Sequence, residues 1–340
     1  MSQQLRFRAG VVLPIILVLS CVVLSFGQRG GGVRGGGAPP AQNRGGARGG
    51  PAGRGRGQQQ QRRDDLDPNN GMVMAFITVT GKDHRAFPGL TKNNFKVTED
   101  NAEQTIELFN VENGPLSVGF VLGATPSESR GVPLEFLKAT TWMNEFFLIN
   151  DDGHPPGGTV IQSFTTDPLK ATTIYPQGGV SADSIFMGLD YLKEAANRRK
   201  VMVLIGSTLT GDAATPTGGG LDPFRVERQA TRQDVQVYSI IAVPFGEGAI
   251  DDGGTSDIAP LTGGRSYLAA DFSAAMESTA REIAHGLAVQ YEIGYRSTNP
   301  TPDGKWRGIK VSLVNLPENA GKLDVSTKSG YYVDKEKKSK

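Results

Sequence analysis

The chain has 340 residues, and its 36 lysines and arginines nearly balance 35 aspartates and glutamates, for a formal net charge of +1 at pH 7. Its single cysteine, Cys21, excludes a disulfide framework and, once the N-terminal segment is removed, any thiol chemistry. The charge is unevenly distributed: residues 1–63 carry ten arginines and no acid, whereas 26 basic side chains face 35 acidic ones from Asp64 onward. This division predicts a basic arm on an acidic body, which favours partner binding or contact between arm and body.

The N-terminus predicts an export signal. A short basic head precedes an apolar run over residues 11–26, and small residues lie near its end at Ser25 and Gly27. This pattern predicts a secretory signal peptide over residues 1–27, cleaved after Gly27. An uncleaved anchor stays open as the alternative, although the run is shorter than the roughly 20 apolar residues of a membrane span. Lipidation of Cys21 is disfavoured because apolar residues continue past it.

Residues 28–67 form a low-complexity arm of Arg-Gly-Gly repeats, prolines and a glutamine run. Val33 is the only large apolar residue between Gln28 and Arg63, so the arm cannot bury enough surface to order itself and is predicted to be disordered. Arginine-glycine repeats are typical of RNA binding inside a cell, but here they come after an export signal, so no nucleic-acid partner is expected. We expect a flexible cationic spacer that contacts anionic envelope surfaces.

Residues 68–114 predict a small β module. Met72–Thr80 is rich in strand formers, and Phe95–Val97 and Ile106–Phe109 alternate between apolar and polar side chains. A unit of about 45 residues is too small to hold a core alone, so we expect it to pack on the segment C-terminal to it.

Strands and helices alternate over residues 115–287, which predicts an α/β domain with a doubly wound, mainly parallel sheet and helices on both faces. The predicted strands are Leu116–Leu122, Thr159–Phe164, Lys170–Tyr175, Val201–Ile205, Val235–Val243 and Ser266–Leu268. The predicted helices are Val132–Ile149, Ser181–Ala196, Asp222–Gln233, Asp257–Leu261 and Asp271–Leu287. The unbroken apolar run of Val201–Ile205 indicates a central strand covered on both faces.

Residues 288–334 predict a C-terminal β hairpin module. Val289–Arg296 and Lys310–Val314 flank a turn-rich loop as the two arms of a long hairpin, and Val325 and Tyr331–Val333 add further strand. Residues 335–340 form a charged tail that is expected to fray.

The sequence lacks the common catalytic motifs. It contains no phosphate-binding P-loop, and Gly246–Asp251, its nearest approach to a dinucleotide fingerprint, ends in aspartate where glycine is needed. The three histidines, His84, His154 and His285, lie in separate elements without zinc-ligand spacing. No Gly-x-Ser-x-Gly nucleophile elbow occurs. We therefore expect no enzymatic activity and no cofactor.

Two carboxylate pairs lie in loops rich in glycine and proline, namely Asp151-Asp152 and Asp251-Asp252. We interpret them as solvated turn residues. The alternative is a hydrolase of the cell envelope that uses these acids.

Several stretches together resemble the exported von Willebrand factor type A-related family known from acidobacteria. The resemblance extends over about residues 70–333. The stretches are Val79–Lys82, Gly89–Asp100, Gln104–Ile106, Ile185–Leu189, Arg199–Val201, Leu261–Arg265, Gln290–Arg296 and Gly330–Tyr332. The resemblance implies a bacterial, secreted or periplasmic protein with a von Willebrand A-like, Rossmann-like sheet.

In metal-binding von Willebrand A domains, Asp-x-Ser-x-Ser comes after the first strand, and a distant threonine and aspartate complete a metal-ion-dependent adhesion site. The matching residues here are Gly123, Thr125 and Ser127, so the aspartate is missing while both hydroxyls remain. The threonine position corresponds to Gly179 or Val180, and the second aspartate to Ser207. Hydroxyls without a carboxylate do not compete with water for Mg²⁺, so the resemblance implies a degenerate site without metal.

The sequence thus predicts a non-enzymatic, exported module that binds a protein of the envelope or the cell exterior. We expect a metal-independent contact through the top of the sheet, with Thr125, Ser127, Ser207 and Asp212 on its rim. Binding of a polyanion through the Arg/Gly arm is the third hypothesis.

Overall fold

The computed structural model describes residues 72–123, 131–140, 144–151, 158–171, 180–206, 223–242, 255–269, 274–318 and 320–333. The predicted signal peptide, the Arg/Gly arm and the charged tail lie outside these ranges. In the described ranges, no helix is both long enough and apolar enough to cross a membrane.

The strands and helices are numbered in chain order. The strands are β1 (Met72–Thr80), β2 (Phe95–Glu99), β3 (Ala102–Gln104), β4 (Ile106–Glu112), β5 (Leu116–Leu122), β6 (Glu145–Asn150), β7 (Thr159–Thr165), β8 (Arg199–Gly206), β9 (Val235–Ala242), β10 (Ser266–Ala269), β11 (Gln290–Arg296), β12 (Trp306–Leu313), β13 (Asp324–Thr327) and β14 (Gly330–Tyr332). The α-helices are α1 (Val132–Ala139), α2 (Ala182–Tyr191), α3 (Pro223–Arg232), α4 (Thr255–Leu261) and α5 (Ala274–Gly286).

Six strands form the central sheet in the order β10-β9-β8-β5-β6-β7. Neighbouring strands run parallel except for β7, which lies antiparallel to β6 at one edge. Helices α1 and α5 pack on one face of the sheet, and α2, α3 and α4 pack on the other. This is a doubly wound order, so the predicted α/β fold class with a mainly parallel sheet is confirmed.

The two faces of the sheet form two apolar cores, which explains the composition of the central strands. Every residue of β8 is buried, as a parallel strand with helices on both sides requires. Helix α5 places Met276, Ala280 and Ile283 on one stripe, and these side chains pack into the core beneath it. Ile185 and Leu189 of α2 do the same on the opposite face.

The predicted helix over Val132–Ile149 is wrong in its second half. Helix α1 ends at Ala139, and the chain then enters strand β6, which pairs with β5. All four residues of Phe146–Ile149 are almost completely buried because both faces of β6 are covered. A short apolar run of this kind has no periodicity that separates a buried strand from a buried helix.

The strand predicted over Lys170–Tyr175 is also wrong where the structure describes it. Lys170 and Ala171 belong to a 3₁₀ helix, Pro168–Ala171, which packs against α1. The rest of that predicted strand lies outside the described residues.

The remaining eight strands form two four-stranded sheets, β13-β1-β11-β4 and β14-β12-β2-β3, here called the β domain. Strand β11 pairs with β1 and β4, while β12 pairs with β2 and β14. Because β11 and β12 belong to different sheets, the predicted long hairpin is wrong. The strands before and after the central domain instead pair with each other and share one core.

The core of the β domain contains a buried carboxylate, Glu99. Its oxygens accept hydrogen bonds from the hydroxyls of Tyr295 (2.9 Å), Tyr331 (3.0 Å) and Ser297. Burial, together with the neighbouring Glu99 carboxylate, raises the pKa of both tyrosines well above its usual value. The tyrosine hydroxyls therefore stay protonated and remain hydrogen-bond donors to the buried side chain of Glu99.

The β domain contacts the central sheet where the parallel strands begin. Gln290, the first residue of β11, donates to Gln236 Oε1 near the start of β9 (2.6 Å) and to Thr78 Oγ1 of β1 (2.9 Å). Ser329 N–H donates to Leu261 O, shortly before β10 (3.0 Å). These contacts of the β domain lie at the amino end of the sheet, opposite the carboxyl end at which doubly wound sheets bind ligands.

Candidate binding surface at the carboxyl end of the central sheet

The adjacent strands β5 and β8 define the point where the strand order reverses. The chain continues from β5 to β6 on one side and from β8 to β9 on the other. Doubly wound sheets bind their ligands in the crevice outside the carboxyl ends at such a point. Gly123 comes directly after β5, Gly206 ends β8, and Gly123 N–H donates to Ile205 O across 2.8 Å. The described residues at the floor of the crevice therefore present backbone atoms and two glycines, without a polar side chain.

One carboxylate lies close to this floor, that of Asp151 at the end of β6. It is 1% exposed, its N–H donates to Leu122 O (2.8 Å), and its Oδ2 accepts from Ser181 N–H (2.6 Å). The prediction of a solvated turn residue is therefore wrong for Asp151. The side chain is buried because it links the end of β6 to the start of α2.

The start of α2 supplies the other polar atoms at this edge. Ser181 is the N-cap residue, with an extended backbone, and its Oγ accepts from Ser184 N–H across 3.3 Å. Ser184 Oγ returns a hydrogen bond to Ser181 O (2.9 Å). A serine N-cap satisfies one of the amides left open at a helix start. The spacing of these two serines was the available sequence signal, but nothing in the sequence paired Ser181 with Asp151.

Val180, one of the two residues matched to the threonine of a metal site, carries an apolar side chain. Val180 is 1% exposed and packs in the core formed with Ile185 and Leu189. The Val180 side chain therefore packs in the core and places no side-chain oxygen at the carboxyl end of the sheet.

The charges at this edge are few in the described residues. Asp183 is exposed in the first turn of α2, where a carboxylate stabilises the positive end of the helix dipole. No group of three or more His, Cys, Asp or Glu side chains suited to a metal ion occurs within the described ranges. The predicted rim residues Thr125, Ser127, Ser207 and Asp212 lie outside those ranges, as do Asp152, Asp251 and Asp252.

No protein-family model and no curated protein matches this sequence. Among solved structures, the chain is similar to the human COPII-coat protein Sec24c, with 10% identity, a TM-score of 0.37, and coverage of 66% of this chain and 44% of that one. It is similar to the PilB minor pilin from Streptococcus sanguinis (11% identity, TM-score 0.33), covering 52% of this chain and 62% of the pilin. The vWF domain of the type V pili tip protein Mfa5 from Porphyromonas gingivalis gives 11% identity and a TM-score of 0.33, with 52% of this chain and 97% of that domain covered. The chain thus spans less than two thirds of Sec24c and of the pilin, and likenesses at this level carry no conclusion about activity or partner.

Proposed function

We propose that this chain is an exported, non-enzymatic module that binds a protein partner through the carboxyl end of its central sheet, without a metal ion. The observation that carries the proposal is the burial and hydrogen bonding of the Asp151 carboxylate. This buried carboxylate at the crevice holds the Ser181 amide at 2.6 Å, so at least one of its oxygens serves the fold. Gly123 and Gly206 add no side-chain oxygen at the ends of β5 and β8.

The same carboxylate argues against a hydrolase at this edge. A general acid or base has to reach a substrate proton, either directly or through one water molecule. Asp151, one of the four acids considered for that role, is buried and serves as an acceptor for the start of α2.

Export is supported by the basic head and the apolar run at residues 1–27. The contact itself is assigned to the rim residues Thr125, Ser127, Ser207 and Asp212. These residues come after β5 and β8 in the sequence, and the carboxyl ends of those two strands border the crevice.

The test is partner capture by the mature chain, residues 28–340, cross-linked in an extract of its own envelope. Capture is compared in EDTA and in Mg²⁺, and for a variant that carries Thr125→Ala, Ser127→Ala, Ser207→Ala and Asp212→Ala. A matched control carries Thr105→Ala and Thr301→Ala, two exposed positions of the β domain.

We expect the same partner in EDTA and in Mg²⁺, loss of that partner with the rim variant, and full capture with the control. Capture that requires Mg²⁺ would overturn the metal-independent contact. Unchanged capture by the rim variant would overturn the location.

A further inference from the structure

A groove of about 460 Å³ lies between α2 and α3 on the flank of the central sheet. Four cations line it: Lys193 from the turn after α2, and Arg225, Arg228 and Arg232 from α3. We call it the basic groove. It is a concentration of positive charge on a body that carries nine more acidic than basic side chains from residue 64 onward.

The arginines of α3 share one face because they are three, four and seven residues apart. The opposite face of α3 carries Val226 and Ala230, which are buried in the apolar core. The helix is thus anchored by one side and presents its cations on the other. This spacing is visible in the sequence, but only the packing of α2 beside α3 turns a charged helix face into a groove.

Two of the arginines lie over aromatic rings. The Arg225 guanidinium carbon lies 5.2 Å from the centroid of Phe186, and that of Arg228 lies 4.2 Å from the centroid of Tyr332. A guanidinium that contacts an aromatic ring in this way still has N–H donors for other partners.

Neither Arg225 nor Arg228 forms an ion pair with any acid in the described ranges. The acid on the adjoining turn of α2, Asp190, is occupied by Lys193 and by Gln229 Nε2 (2.9 Å). Exposed like charges on one helix face destabilise each other unless an anion joins them. Arg225 and Arg228 therefore offer donors suited to carboxylate or phosphate oxygens.

A further residue of the groove, Gln233, favours one of these anions. Gln233 lines the groove, and its buried Oε1 has no hydrogen-bond partner in the described part of the chain. An acceptor needs a donor, and a peptide supplies backbone N–H groups, whereas an ionised phosphate or sulfate chain offers acceptors only. Phe186 adds an apolar contact, which a peptide side chain also matches.

We propose that the basic groove binds an acidic peptide segment of a partner protein, with carboxylates paired to Arg225 and Arg228 and a backbone N–H donated to Gln233. Residues 28–63 of the Arg/Gly arm are not the occupant, because they carry no acid, and the aspartates that end the arm need a separate test. Residues 335–340, with four lysines and one glutamate, carry the wrong charge as well. The groove lies on the flank of the sheet and not at its carboxyl end, so this proposal and the proposed function fail independently.

The test uses the mature chain and a fluorescein-labelled peptide of alternating glutamate pairs and leucine, with binding measured by fluorescence anisotropy. The variant Arg225→Gln/Arg228→Gln should weaken binding by about tenfold or more, since each charge-assisted hydrogen bond contributes more than a neutral one. The control Lys82→Gln/Lys322→Gln removes the same charge from exposed β-domain positions and should leave affinity within about twofold. Both arginine side chains are exposed, so unfolding curves verify that the groove variant keeps its stability.

A second variant tests the peptide specifically. Gln233→Ala should weaken the glutamate-leucine peptide and leave weak binding of inorganic polyphosphate unchanged. Equal binding by the groove variant and the wild type would overturn the proposal, as would equal losses in the groove variant and the lysine control. Groove-dependent binding of polyphosphate without binding of the peptide would also overturn it.

The chain's own acidic stretch provides the last arm of the test. The variant Asp64→Asn/Asp65→Asn/Asp67→Asn should bind the peptide as the wild type does. If it binds more tightly, the chain's own stretch is the occupant and the partner proposal is wrong.

Discussion

The Arg199 side chain donates from Nε to Gln290 Oε1 across 3.0 Å, which joins the first residue of β8 to the first residue of β11. The same guanidinium donates to Gly114 O (2.7 Å) and to Leu287 O. Arg199 is 3% exposed, and burial lowers the pKa of its guanidinium to about 10. One side chain thus connects the central sheet, the end of α5 and the β domain.

The variant Arg199→Met keeps much of the side-chain length and removes these hydrogen bonds. It leaves Gln290 Oε1 and two carbonyl oxygens without their donor, and each buried acceptor left unpaired costs about 1–3 kcal/mol. We expect a loss of about 3 kcal/mol or more in the free energy of unfolding, measured with urea. Arg296→Met is the control, because Arg296 forms an exposed ion pair with Glu107 (3.3 Å) that contributes at most about 1 kcal/mol. Similar losses in both variants would show that Arg199 does not connect the domains.

Glu227 of α3 predicts a pH dependence of stability. It is 2% exposed, its Oε1 has no hydrogen-bond partner in the described residues, and burial raises the pKa of the carboxyl from 4.5 to about 7. Below about pH 4.5 the carboxyl is protonated in both the folded and unfolded states. As the pH rises from about 4.5 to about 7 the folded state progressively loses stability, by about 3 kcal/mol in all, and above pH 7 the loss stays constant.

The variant Glu227→Gln removes this titration. We expect it to exceed the wild type in stability by up to about 3 kcal/mol near pH 8 and to match it near pH 4, in urea unfolding at both values. Glu318→Gln, at an exposed position, should change stability by less than about 0.5 kcal/mol at either pH. A Glu227→Gln variant that shows no gain at the higher pH would contradict the burial of a lone carboxylate.

Two variants of Asp151 distinguish the contribution of its hydrogen bond to stability from that of its charge. Asp151→Ala leaves the Ser181 amide without its acceptor and should cost about 1–3 kcal/mol, whereas Asp151→Asn keeps an acceptor and should cost clearly less. Asp183→Ala removes an exposed carboxylate from the same helix start and should cost at most about 1 kcal/mol. Thermal and urea unfolding measure the order of the three variants. An Asn variant as unstable as the Ala variant would show that the charge itself is required there.

Gly264 lies against the backbone of β9. A Cβ at this position would lie 1.8 Å from Val237 O, so Gly264→Ala forces the chain apart and should cost about 3 kcal/mol or more. Gly114→Ala is the control, because a Cβ there meets nothing within 4 Å. Urea unfolding compares the two variants. Equal stabilities would mean that the segment before β10 moves freely away from β9.

The pair Gly263-Gly264 needs glycine for two reasons, of which only one can be predicted from the sequence. Two glycines in a row between a helix and a brief strand indicate a turn, and the neighbouring residues are enough to predict it. Gly263 adopts a φ of +88°, which residues with a side chain rarely adopt. The requirement for glycine at this position therefore comes from the turn itself. The contact that excludes a side chain at Gly264 comes from β9, about 27 residues away, and only the folded chain reveals it.

The sequence was sufficient to predict an element where a local run of residues can be stable in only one environment. An unbroken apolar run such as Val201–Ile205 has to be buried on both faces, so the sequence alone determined a central parallel strand and the α/β class. Tertiary structure decided which strands pair, whether Phe146–Ile149 is helix or strand, and which acid is buried. These outcomes depend on partners distant in the chain, such as β1 for β11 and Ser181 for Asp151. Hydrogen bonds and packing between distant segments leave no periodic trace in the residues that make them, so they appear only once the chain is folded.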